Sequence, residues 1–288
     1  MEKWADEVAD VVKEKFPNQR IAIDRLDGDA RAELEKRQIS VFFGQDVIEH
    51  ARCIKTPQEQ NAQARSAFVC ETGLARLKAI TRPGITENEL WATFGAINAS
   101  LGGDYVETRL LVSGERTNPW YSEASEKPVQ VGELVAFDTD MIGPYGYSTD
   151  ISRTWMCQDK APTEEQKTVY QLSYEQVHHN MALLKPGLGF RELAEKSWKN
   201  PDRFEEFEVG VVVHGIGMCN EYPQVASLKW FDQTGYDGEF QLGMTVSVES
   251  YIGEKGAKEG VKFEEMVRIT ETGSELVAKF PFEKELLS

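Results

Sequence analysis

The sequence predicts an α+β domain of two similar halves related by a pseudo-twofold axis, with helices outside an antiparallel sheet. Two observations lead there. Long helical patterns at residues 57–80 and from Thr163 onward each stop at a Pro-Gly pair, Pro83-Gly84 and Pro186-Gly187. Leu90 and Leu193 then follow these prolines by seven positions. After each helix pair come three β-rich runs: residues 108–113, 134–142 and 147–155 in the first half, and 209–213, 245–251 and 261–270 in the second. A site shared by two such halves lies in the cleft between them.

Taken in order, residues 4–16 carry a helical pattern, Arg20-Ile21-Ala22-Ile23-Asp24 reads as a strand, and a second helix is expected from about Ala30 to Arg37. These pieces are too few to bury a core of their own, so 1–52 is expected to be a partial module leaning on 53–288. Thr86 with Glu89 three positions on is a capping-box pairing that starts the next helix, and Thr163 with Gln166 repeats the device in the second half.

Composition narrows the function. Of the 288 residues, 41% are apolar, enough for a sizeable core, and no apolar run reaches membrane-spanning length. The N-terminus lacks the apolar stretch of a secretory signal. Cys53, Cys70, Cys157 and Cys219 form no metal or redox spacing, which suits reduced thiols and a cytoplasmic protein. A formal charge of -16 argues against nucleic acid and anionic membranes as partners. Its plain reading is solubility, with part of the acid excess left to surround a cation.

The run from Phe137 to Arg153 carries the sharpest chemistry. Asp138 and Asp140 stand two apart in an apolar strand, which points both to one face. Gly143, Pro144 and Gly146 turn the chain back, and Asp150 arrives on the return. Three convergent carboxylates repel one another unless a cation sits among them. The bland alternative has one or more of them facing water or capping a turn. His214 ends the apolar run Val211-Val212-Val213 and is followed by Gly215 and Gly217. A lone histidine there reads as a core residue; the acids on either side make it a ligand candidate. Glu249 and Glu264 lie inside β-rich apolar runs, where an unpaired charge is costly. For Glu249 the alternative is a buried salt bridge to Arg153 or Arg268. Five carboxylates and one imidazole suit manganese, iron or zinc better than a thiol-selected metal, and bridging carboxylates can hold two ions about 4 Å apart.

This order of Asp, Asp, His, Glu and Glu on a duplicated α+β domain resembles the M24 superfamily of methionine aminopeptidase, aminopeptidase P, prolidase and creatinase. The resemblance covers roughly residues 53–288. It implies the pita-bread (creatinase-like) fold, with Asp140, Asp150, His214, Glu249 and Glu264 as ligands of two divalent metal ions and Asp138 as a further candidate. It also makes 1–52 the remnant of a creatinase-type N-terminal domain with its linker, and a homodimer would cover the apolar faces exposed there.

Departures set the expected activity. The peptidases usually keep a histidine before the first aspartate strand and another seven residues after the ligand histidine; these positions hold Trp120 and Glu221 here. Asp138-Thr139-Asp140, Asn118-Pro119-Trp120 and the stretch from Gly217 to Pro223 instead look like the lyases of this fold that cleave dimethylsulfoniopropionate to dimethyl sulfide and acrylate. That likeness implies a zwitterionic small-molecule substrate and iron as the first choice of metal. Trp120, Tyr121 and Tyr222 could offer cation–π faces to the sulfonium, although ordinary core or rim packing is the better account of any one of them taken alone. The lyases are expected to carry an aspartate base where this chain has Asn220, so activity is expected to be impaired; Glu221 is the next candidate for the base. The alternatives are an M24 metallopeptidase acting near proline and a non-catalytic metal-binding homologue.

Overall fold

Helices start where the sequence supplies caps. In the computed structural model, which describes residues 1–157 and 160–288, the Thr86 and Thr163 side chains accept from the backbone N–H of Glu89 and Gln166, and their own backbone N–H groups donate back to the Glu89 and Gln166 side chains. Thr56 with Glu59 makes a third such box, heading α4 below. Cα packing divides the chain into two units, Met1–Arg52 and Cys53–Ser288.

The first unit runs α1 (Glu2–Lys15), β1 (Arg20–Ile23), α2 (Gly28–Lys36), β2 (Ser40–Phe43) and α3 (Gln45–Arg52). β1 and β2 pair in parallel. Contrary to the sequence expectation, this unit has a small core of its own, built on Ala5, Ala9, Val12, Leu34, Ile39 and Val41. The expectation failed because β2, which completes the sheet and supplies Val41, carries no clear alternation.

In the second unit α4 (Pro57–Ile80) and α5 (Glu87–Ser100) lead the first half. They approach closely: a Cβ on Gly73 would stand 2.6 Å from the Phe94 ring. The strands β3 (Tyr105–Val106), β4 (Leu111–Ser113), β5 (Leu134–Phe137), β6 (Asp140–Ile142), β7 (Ser148–Asp150) and β8 (Arg153–Met156) follow. They form two three-stranded sheets, β3-β6-β7 and β4-β5-β8. The expected strand 134–142 is therefore broken. β5 pairs with β4 and β6 with β3, and the irregular segment 107–110 between those partners forces a jog at Asp138-Thr139. The run 147–155 breaks likewise at Ile151-Ser152, where Ser152 and Glu264 exchange backbone hydrogen bonds of 3.3 Å.

The second half holds α6 (Glu164–Leu183), α7 (Phe190–Lys196), β9 (Val211–Ile216), β10 (Asn220–Ala226), α8 (Leu228–Thr234), β11 (Thr245–Ile252), β12 (Val261–Ile269), β13 (Ser274–Leu276) and α9 (Lys284–Leu287). Its five-stranded antiparallel sheet runs β10-β9-β11-β12-β13. One large core holds α6 residues such as Tyr170 and Val177 with Val246, Val248 and Phe263; a second holds Leu74, Phe94, Phe137 and Trp155.

Arg153 and Glu265 form a buried pair at 2.8 Å, side chains 3% and 2% exposed, and Arg153 also donates to Phe280 O. Arg153→Met strands the Glu265 carboxylate in the core. Its expected cost is about 3–5 kcal/mol in denaturant unfolding, largely recovered by adding Glu265→Leu.

Candidate metal centre

Strand register assembles the site. Glu249 on β11 stands opposite Glu264 on β12, and His214 on β9 stands opposite Ser247, two residues from Glu249. The two-residue period then places His214, Glu249 and Glu264 on one face. Asp150 on β7 faces Asp140 on β6, and the Ser152–Glu264 bridge docks that hairpin against β12. His214 Nε2 lies 3.1 Å from Glu264 Oε1, 3.4 Å from Glu249 Oε1 and 3.7 Å from Asp150 Oδ2. Ligand atoms of Asp150, His214 and Glu264 lie within 4.8 Å of one another.

The other oxygens of this cluster face a cation that sequence reasoning missed. Lys262 Nζ sits 2.5 Å from Glu249 Oε2, 3.0 Å from Glu264 Oε2 and 3.3 Å from Asp138 Oδ2, with its side chain 1% exposed. Its signal was available: Lys262 precedes Glu264 by two on one strand and so shares its face. It also explains why the alternative ion pairs for Glu249 do not form, since Arg153 pairs with Glu265 and Arg268 with Glu275. Ser152 Oγ bonds both Asp138 and Glu264 Oε2.

Like charge and burial set the electrostatics. Burial, reinforced by Glu264 and Glu249 against the pull of Lys262, pushes the Asp138 carboxyl up to about 8. Burial, then Glu264 and Asp140, holds Asp150 well above the usual carboxylate range. Burial works against a charged His214, yet hydrogen bonds to Glu249 and Glu264 keep it well above its ordinary value. For Glu264 burial opposes ionisation, but Lys262 and His214 override it and hold the carboxyl well below the usual range.

Asp140 sits at the rim. Its Oδ2 accepts from Thr108 Oγ1 and its Oδ1 from Asn220 Nδ2, both at 2.7 Å. Tyr121 is 70% exposed, has a left-handed φ of 81°, and has Glu249, Asp138 and Glu264 among the charges that act on its phenol. Trp120 is buried beside Tyr251, with its indole N–H lacking a partner among the described residues. The structure thus gathers Asp138, Asp140, Asp150, His214, Glu249 and Glu264, with Asn220 on Asp140 and Tyr121 in electrostatic reach. The three other residues are engaged elsewhere, Trp120 in the buried cluster with Tyr251. Tyr222 packs on Phe190 and Tyr236. Glu221 pairs with Lys55.

The residues fit a divalent ion. One imidazole and carboxylates converge, Asp150 Oδ1 is buried with no hydrogen-bond partner among the described residues, and the shifts above mark a cluster short of positive charge. When loaded, Asp150, His214 and Glu264 would hold one ion.

Comparison with known proteins places this geometry. Residues 61–271 match the model of metallopeptidase family M24. The dimethylsulfoniopropionate lyases DddP of Roseovarius nubinhibens and Roseobacter denitrificans are 36% and 34% identical over 94% and 99% of this chain. The chain spans 62% and 65% of their lengths. Among solved structures, the Xaa-Pro dipeptidase from Bacillus anthracis superposes with a TM-score of 0.82 at 25% identity, covering 97% of this chain and 77% of that one. With the family model matching well over half of its length, the chain belongs to metallopeptidase family M24 and has its pita-bread α+β fold.

Proposed function

We propose that this protein is a metal-dependent C–S lyase that cleaves dimethylsulfoniopropionate to dimethyl sulfide and acrylate, slowed by Asn220. The observation that supports it is the likeness to two such lyases along nearly the whole chain, together with a carboxylate–histidine centre in which Asn220 contacts Asp140. We assign two divalent ions to the centre, iron first with manganese or zinc as alternatives, on Asp138, Asp140, Asp150, His214, Glu249 and Glu264.

Bound ions would offset the charge of the substrate carboxylate and acidify the adjacent C–H. The chain's own residues do the rest. A base takes that proton, the C–H electron pair becomes the C=C bond, and the C–S bond breaks to release neutral dimethyl sulfide. Tyr121 and Trp120 flank the sulfonium with aromatic faces. Asn220 cannot serve as the base, because its amide nitrogen donates to Asp140 and has no basic lone pair. This favours a second reading, a metal-binding homologue without turnover. A cytoplasmic location suits cysteines whose spacing in the sequence marks neither a metal nor a redox motif. Among the described residues, no helix is long and apolar enough to cross a membrane. We also assign a homodimer, in which the exposed Phe42 and Phe43 of the first unit are covered.

The test is headspace dimethyl sulfide from iron-loaded protein, set beside proline release from a Xaa-Pro dipeptide. Slow, metal-dependent dimethyl sulfide and no proline are expected. Proline without dimethyl sulfide would establish the peptidase instead, and neither product would favour the homologue without turnover.

A further inference from the structure

Behind the turn that carries Asn220 lies a second buried ion pair, separate from the carboxylate–histidine cluster. Lys55 Nζ stands 2.5 Å from Glu221 Oε1, their side chains 2% and 0% exposed. Lys55 Nζ also donates to Cys53 O at 3.2 Å. Lys55 precedes α4, whereas Glu221 follows Asn220 on β10. Such a pair gains little stability over apolar side chains of the same volume, so its use here points to a fixed arrangement.

What it fixes is the turn from Gly217 to Asn220. A Cβ on Gly217 would stand 2.2 Å from Glu221 Oε1 and 2.7 Å from its Cδ, so a side chain at 217 would push the carboxylate from its place under the turn. Gly217 N donates to Cys219 O at 3.1 Å, and Gly217 O accepts from Ser148 N at 2.7 Å. Ser148 begins β7, the strand that ends in Asp150. At the far side of the turn, Asn220 Nδ2 donates to Asp140 Oδ1 at 2.7 Å. One short turn therefore touches both strands that carry metal-binding aspartates, and the Lys55–Glu221 pair backs it.

We propose that Lys55 and Glu221 are positioning residues for the metal centre: their ion pair seats the Gly217–Asn220 turn and, through it, the Asn220 amide on Asp140. The inference rests on the metal-centre reading above. It gives Glu221 a structural hold on the site in place of a proton to transfer.

The test is cobalt(II) titration of the full chain, followed by visible ligand-field absorption, with circular dichroism to confirm folding. Lys55→Met should weaken cobalt binding roughly tenfold, as loss of an outer partner does, and alter the visible bands. Lys55→Arg should restore both. Gly217→Ala, which displaces the carboxylate, should mimic Lys55→Met. If Lys55→Met does not fold, Lys55→Met/Glu221→Leu, which leaves no unpaired buried charge, carries the same expected loss. In an Asn220→Ala background the Lys55 substitution should add nothing. Unchanged affinity and bands in Lys55→Met or in Lys55→Met/Glu221→Leu, or an equal loss with Asn220 already removed, would overturn the proposal. A wild-type chain that takes up no cobalt would overturn the metal-centre reading first, and this inference with it.

Discussion

Replacing Asn220 with aspartate is expected to raise dimethyl sulfide production by about 10²–10⁴-fold at equal metal content, the usual worth of a placed general base. The substitution is nearly isosteric at an exposed position, so packing survives it. It exchanges the donor that meets Asp140 at 2.7 Å for a second carboxylate. Without metal the two oxygens repel. With dications nearby, the new group stays ionised at neutral pH and can accept the substrate proton. Headspace chromatography on both proteins measures this. Equal rates would mean that residue 220 does not stand in the base's place.

Metal affinity rises steeply with pH, by roughly tenfold per pH unit for each proton displaced. Asp138, His214 and Asp150, the last also held well above the usual carboxylate range, set the sign. Asp138 has its carboxyl raised to about 8 and holds a proton at pH 6–7 that a bound cation must expel. A carboxyl raised on folding stabilises the metal-free chain fully below its unfolded pKa, and that contribution is lost as pH rises through about 8. His214, held well above its ordinary value, must also give up its proton to ligate. Its contribution to the metal-free chain is likewise lost as pH rises through that elevated value. With more than one proton displaced, the gain exceeds tenfold per unit wherever these groups are still protonated in the metal-free chain. The metal-free chain loses stability over the same interval. Calorimetric titration with manganese(II) in two buffers of different ionisation enthalpy counts the protons. Affinity that does not change with pH, with no proton release, would contradict the shifts.

Much of this was legible in the sequence because the fold repeats. The two Pro-Gly stops and the Thr86 and Thr163 caps marked the halves, and six ligand candidates stood out as charges inside apolar runs. The jog at Asp138-Thr139 was not legible: it arises because β5 and β6 take different partner strands, a tertiary choice that local alternation does not encode. Lys262 was readable from its place two before Glu264, but a lysine buried in an apolar strand runs against a pattern of converging acids. Glu221 and Tyr222 looked alike as chemistry-bearing side chains beside Asn220. The fold sends one to Lys55 and the other into an aromatic cluster, and nothing in their spacing distinguishes the two.

Metal content decides the reading most directly. Elemental analysis of the full chain, purified with iron present, should give two ions per chain, and Asp150→Ala or His214→Ala should lose at least one while remaining folded. A folded wild-type chain that emerges metal-free from the same purification would contradict a dinuclear centre on these residues.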